Sequence, residues 1–209
     1  MASNLDSQGV DKGLASSSIY KRGNSQLDNK KRGLVELAII LVVAIFVALI
    51  VRTFLLALFY IPSPSMVPTL KVNDKIFVNK LSYKFHGIER GDIVVFDAPA
   101  SIKTDEIKVL IKRVVALPGE TIEGKCAQGD GPCNVDIYID GKKLNEPYIG
   151  DDIVYAPFTA RTIPANSIFV MGDNRGNSED ARVFGPVPKD TVIGRAFLRI
   201  WPASGFGFL

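Results

Sequence analysis

Apolar positions fall into two regimes along this chain of 209 residues. From Leu34 to Tyr60 they are nearly continuous. From residue 61 onward they come in short runs separated by Gly, Pro, Asn and Asp. In the first regime no charge occurs from Leu37 to Val51, and between Leu37 and Tyr60 the one charge is Arg52. As a helix, that stretch would measure about 36 Å at ~1.5 Å per residue, enough to cross a hydrocarbon core of ~30 Å. The pattern predicts a transmembrane anchor over 34–60. Arg52 can snorkel to the far interface, where Phe59 and Tyr60 also fit. A buried helix of a soluble protein is the competing reading. A cleavable signal peptide would have a shorter core and a small-residue cleavage site, which is not evident here.

The second regime reads as strands and turns. Lys75-Ile76-Phe77-Val78 follows a turn at Asn73-Asp74, and Asp92-Ile93-Val94-Val95-Phe96 follows Arg90-Gly91. Ile107 to Val115 is strongly β-branched and stops at Leu117-Pro118-Gly119. Val135 to Ile139 runs into Asp140-Gly141, a hairpin signal. Ser167 to Met171 precedes Gly172-Asp173-Asn174, and Thr191 to Trp201 alternates. No amphipathic helix interrupts these runs. The fold class is therefore mainly β: one N-terminal transmembrane helix, then a coiled or barrel-like antiparallel β domain over 61–209.

Charge gives this arrangement a direction. Six of the 25 basic and three of the 22 acidic residues lie in 1–33, so the remainder is formally neutral. A neutral body excludes nucleic acid as a partner. Residues 1–33 read as a disordered basic tail. Its cluster Lys30-Lys31-Arg32 should stay in the cytoplasm, which places everything after Tyr60 on the extracytoplasmic face. There a disulfide between Cys126 and Cys133 is the natural reading, with free thiols the alternative. A zinc site would need more ligands than two cysteines and the single His86 supply, so no metal and no cofactor is expected.

Three stretches carry candidate chemistry. In Ile61-Pro62-Ser63-Pro64-Ser65-Met66-Val67-Pro68-Thr69-Leu70 the prolines bias Ser63 and Val67 towards extended backbone. A Pro/Ser linker is the bland reading of the same residues. A Ser-His-Asp triad would have to use His86, which sits in a turn-like setting. A serine can instead be activated by a lysine, provided desolvation keeps that lysine neutral. Strand alternation puts Lys112 on the face of Leu110 and Val114, and Arg113 on the opposite face with Ile111 and Val115. A lysine snorkelling at a strand edge fits that pattern equally, and Lys108 on the same face is the lesser alternative. In Met171 to Arg182 the alternation of Asp173, Arg175, Asp180 and Arg182 suits an ion-paired loop that leaves Ser178 free to hydrogen-bond elsewhere.

Together these stretches resemble type I signal peptidases (leader peptidases). The matching motifs are Pro62 to Leu70, Arg90 to Phe96, Lys112 to Gly119 and Gly172 to Arg182, in that order behind one anchor. The resemblance implies a membrane-anchored serine endopeptidase that removes signal peptides from exported preproteins. By it, Ser65 is the nucleophile and Lys112 the general base. Ser63 and the Ser65 N–H stabilise the oxyanion, Ser178 orients the Lys112 amine, and Asp180 and Arg182 hold the loop. It further implies that the prolines hold both Ser63 and Ser65 in extended backbone at the membrane. The implied partners are the lipid bilayer and signal peptides with small residues at the first and third positions before the cut. Trp201 and Phe206-Gly207-Phe208-Leu209 suggest bilayer contact or an edge strand packed on the domain. The chain departs from the family pattern at Pro64, where a small flexible residue is common, and at Ala181, where a serine is common. A self-cleaving Ser/Lys protein lacks support here, because there is no DNA-binding region. A single-span protein whose β domain only binds an envelope partner is the non-enzymatic alternative.

Overall fold

The computed structural model describes residues 32–49, 55–126, 133–150 and 154–209. Most of the expected tail, and Arg52, lie outside the described residues. The chain divides into two compact units, Met1–Val51 and Arg52–Leu209.

In the first unit, α1 (Arg32–Leu49) is a helix long and apolar enough to cross a membrane. Its side chains are exposed along its length, and at ~1.5 Å per residue it measures about 27 Å. The anchor expected through Tyr60 needs correction at its end, because Leu56–Tyr60 is a strand, β1. These five residues pair with Lys75–Asn79 (β2) from Leu56↔Asn79 to Tyr60↔Lys75. Phe59 packs on the core while Leu58 and Tyr60 face out. An apolar run of this kind reads equally as helix or strand until a pairing partner decides it.

The second unit is built from two antiparallel sheets. The larger runs in the order β1, β2, β12 (Val192–Trp201), β3 (Ile93–Asp97), β4 (Val109–Ala116), β10 (Ser167–Met171), β11 (Val187–Pro188). A short terminal strand, β13 (Gly207–Phe208), pairs with β12. The smaller sheet runs β7 (Lys142–Lys143), β6 (Cys133–Ile139), β5 (Thr121–Cys126), β9 (Phe158–Thr162), with β8 (Val154–Tyr155) on β6. Asp140 and Gly141 take positive φ in the β6–β7 hairpin, as the sequence signal there requires. Two four-residue helices, α2 (Ser82–Phe85) and α3 (Ala181–Phe184), complete the elements used below.

Strand β3 shows why its run is continuously apolar rather than alternating. Val94 and Phe96 enter one core cluster, which also takes Ile122 and Ile137 of the smaller sheet. Ile93 and Val95 enter a second cluster with Met66, Leu70, Ile76 and Val78. A strand covered on both faces has no polar side to display. Elsewhere the sheet keeps one bare face: the rung Leu58–Phe77–Leu198–Phe208 crosses β1, β2, β12 and β13. Leu58, Phe208 and the nearby Trp201 and Phe206 are exposed. The C-terminal segment is thus an edge strand that also presents apolar side chains outward.

Candidate active site

The serine-bearing turn is fixed by its own sequence and by two apolar side chains on its far side. Ser63 is extended (φ −125°, ψ 155°), and Pro64 opens a single 3₁₀ turn, Pro64–Met66. Proline suits that first position because its φ is preset and its missing N–H would have no partner there. The Val67 N–H donates to the Pro64 carbonyl at 3.1 Å and closes the turn. Ser65 therefore lies inside a helical turn, and the expectation of extended backbone holds for Ser63 but is corrected for Ser65. Met66 and Leu70 are fully buried in the second core cluster. At roughly 1.5–3 kcal/mol for each buried side chain, they pin the turn to the sheet.

Lys112 reaches this turn from β4, where it lies opposite Val94 of β3. Its Nζ donates to Ser65 Oγ at 2.8 Å. Ser65 is 7% exposed and Lys112 3%. Burial, the largest cause, lowers the lysine from 10.5 to about 8, against the opposing pull of Asp180 and Glu179. The Ser63 Oγ lies 3.3 Å from Ser65 Oγ. A buried hydroxyl, a desolvated amine in contact with it and a second hydroxyl alongside form the arrangement that nucleophilic catalysis without histidine requires. His86 is exposed at the end of α2, and Lys108 is exposed before β4.

The loop after β10 closes the site from the other side. The Asn174 N–H donates to the Ser65 carbonyl at 3.1 Å, and Asn174 Nδ2 to the Pro64 carbonyl at 3.2 Å. Gly172 makes the close approach possible, since a Cβ there would collide with Ser178 Oγ and the Ser65 carbonyl. Asp180 is fully buried and takes the Gly172 N–H at 3.0 Å, drawing the two ends of the loop together. Arg182 holds that carboxylate through Nε at 2.7 Å and Nη2 at 2.8 Å, and also donates to the Arg175 carbonyl at 2.7 Å.

A family described as signal peptidase, peptidase S26, matches residues 34–201. The chain belongs to that family. A probable signal peptidase I-1 from Synechocystis is 42% identical over 173 residues, 81% of this chain and 84% of that protein. Signal peptidase I from Leptolyngbya laminosa is 40% identical, with 79% of each chain covered. Signal peptidase IB from Staphylococcus aureus is 34% identical over 85% of this chain and 95% of its own length. The protein is a serine endopeptidase of the signal peptidase I type.

Within this signal peptidase, the structure brings Ser63, Ser65 and Lys112 together and sets the Asp180–Arg182 pair behind them. The hydrogen bond expected from Ser178 to Lys112 is not formed: Ser178 Oγ is buried and has no hydrogen-bond partner. That hydroxyl lies close against Gly172. Ala181 is fully buried in the first core cluster. A serine hydroxyl at that position would have to be satisfied, and Asp180 and Arg182 carry the loop's bonds without it. Cys126, at the end of β5, is disulfide-bonded.

Sequence reasoning missed what supports the Ser65–Lys112 pair from behind. Arg113 points away from Lys112, as alternation requires, and grips Asp173 with both arms, Nε at 2.9 Å and Nη2 at 2.7 Å. Its Nη1 donates to the Gly91 carbonyl at 2.8 Å, where Gly91 has φ +93°. On either side of Gly91, Arg90 donates to the Val115 carbonyl and to Glu120 at 2.6 Å each, and Asp92 takes the Tyr83 hydroxyl at 3.0 Å. Thr69 Oγ1 donates to the same Asp173 carboxylate at 2.5 Å. The available signal was an arginine on the otherwise apolar face of Ile111 and Val115, which demands a buried carboxylate somewhere.

Proposed function

We propose that the chain cleaves N-terminal signal peptides from exported preproteins with Ser65 as nucleophile and Lys112 as general base. The observation that carries this is the 2.8 Å contact between Lys112 Nζ and Ser65 Oγ at a lysine brought to about 8 by burial. Once neutral, the amine accepts the Ser65 proton as Oγ attacks the scissile carbonyl. The Ser63 hydroxyl and the Ser65 N–H receive the oxyanion. On collapse, the protonated Lys112 delivers its proton to the leaving amine, and the signal peptide remains as an ester on Ser65. Lys112 then takes a proton from water, hydroxide attacks the ester, and Ser65 Oγ recovers the proton as the signal peptide leaves as a carboxylate. Ser178, with its hydroxyl unpartnered in the free protein, orients the amine when substrate closes the site. Asp180 and Arg182 hold the loop that carries it.

The substrate has small residues at the first and third positions before the cut and binds extended along a sheet edge. The N-terminus is cytoplasmic and the β domain extracytoplasmic, in keeping with the basic residues that precede the helix. In that compartment Cys126 pairs with Cys133 and closes the β5–β6 hairpin. The bare apolar face bearing Leu58, Trp201, Phe206 and Phe208 rests on the bilayer. Purified protein in detergent should cleave a preprotein after an Ala-x-Ala-type site, and Ser65→Ala should abolish the cut. Normal cleavage by Ser65→Ala would sink the assignment of the nucleophile.

A further inference from the structure

Beyond the dyad and its loop, the segment that follows β7 of the smaller sheet reaches two of the site's arginines, Arg175 and Arg113. Glu146, just after β7, is buried, with its side chain 5% exposed, and it faces the fully buried guanidinium of Arg175. Arg175 Nη1 donates to Glu146 Oε2 at 2.9 Å, and Nη2 to Oε1. Arg175 Nε in turn donates to the Gly172 carbonyl at 3.1 Å, the residue pressed against Ser65 and Ser178. Two residues on, the Tyr148 hydroxyl donates to Glu146 Oε1 at 2.7 Å. The Tyr148 ring lies 4.0 Å under the guanidinium of Arg113, which chelates Asp173. Burial, with the Glu146 carboxylate beside it, pushes the tyrosine up, so it stays a donor.

We propose that Glu146 and Tyr148 are positioning residues for catalysis, a strap from the smaller sheet that holds Arg175 and Arg113 and thereby keeps the loop from Gly172 to Ser178 packed against Ser65. Neither residue touches the reacting atoms; each acts through an arginine. The strap also governs how dry Lys112 is. The charged groups acting on that amine are Asp173, Glu179, Asp180 and Arg182 of the loop and α3, while on β3 the apolar Val94 lies opposite Lys112. If the loop lifts, water enters and the ammonium becomes easier to form. Lys112 then moves back up towards its ordinary value, and less of it is neutral at working pH.

The inference rests on the Ser65–Lys112 reading, so full-length protein in detergent is assayed on a signal-peptide-derived substrate across pH, with Lys112→Ala alongside. Glu146→Gln is expected to lower kcat at neutral pH by about tenfold to a hundredfold with KM within about threefold. Its acid limb should move to higher pH, with part of the lost rate regained in alkali. Tyr148→Phe, which deletes one hydroxyl, should shift kcat and the limb the same way by less. A residue that only stabilises the fold would lower Tm and leave kcat and the limb unchanged, and that outcome overturns the proposal; so does a loss confined to KM. Should Glu146→Gln fail to fold, Tyr148→Phe decides on the same two readouts. An active Lys112→Ala would sink the dyad reading itself. An inactive Lys112→Ala beside wild-type profiles for both strap variants would sink the strap alone.

Discussion

Lys112 couples reactivity to stability. Its folded value of about 8 lies below the 10.5 of the free side chain, so the unfolded chain binds more protons between those values. Stability should therefore rise with pH from about 8 to about 10.5, and below that window the buried ammonium costs about 3 kcal/mol. Lys112→Met is expected to be the more stable protein at neutral pH by roughly that amount, with the advantage gone above about pH 10.5. Denaturant titrations of both proteins at two pH values check it, and a pH-independent difference would contradict the burial argument. On the proposed role of Ser63 as an oxyanion donor, Ser63→Ala should lower kcat by about 10²–10³ with KM little changed. Gly172→Ala should slow cleavage as well, since its methyl group meets the Ser65 carbonyl, which cannot yield without disturbing the Ser65–Lys112 contact.

At the scale of elements, β4 supplies alternate residues to two tasks. Lys112 turns to the serine, and Arg113 turns back to anchor Asp173, at the start of the loop after β10. Asp173 is fully buried and the Arg113 side chain nearly so. Breaking such a pair leaves an uncompensated charge, so Asp173→Ala should destabilise the protein by about 3–5 kcal/mol, measurable as a shift in the denaturant midpoint. The parts of this arrangement that were legible in the sequence were those that depend on period. Alternation separated Lys112 from Arg113, and proline chemistry placed Ser63 in extended backbone. What period does not carry is partner choice. That Arg113 would take Asp173, 60 residues later, or that Arg175 would take Glu146, depends on which strands become neighbours. Ser65 illustrates another limit: Pro64 permits both extended and 3₁₀ continuations, and the burial of Met66 selects the second. Likewise the apolar character of Leu56–Tyr60 is common to an anchor and an edge strand, and the pairing with β2 decides between them.

For the whole molecule, the division of labour is between a helix free of charge from Leu37 to Leu49 and a β unit with one bare face. The rung Leu58–Phe77–Leu198–Phe208 gives the β unit an apolar surface of its own. Leu58→Asp combined with Phe208→Asp should reduce binding of a chain lacking residues 1–54 to lipid vesicles, while cleavage of a soluble peptide stays near wild type. Undiminished vesicle binding by that double variant would remove the bilayer role from this face. The central claim is more direct: a buried lysine, lowered to about 8 so that it supplies a neutral amine as pH rises, activates Ser65. It is tested by the rate of preprotein cleavage as a function of pH for the wild type beside Lys112→Ala. The expected profile has an acid limb that falls below about pH 8, as Lys112 gains its proton, and no cleavage by Lys112→Ala at any pH. A rate indifferent to acidification, or a cleaving Lys112→Ala, would contradict it.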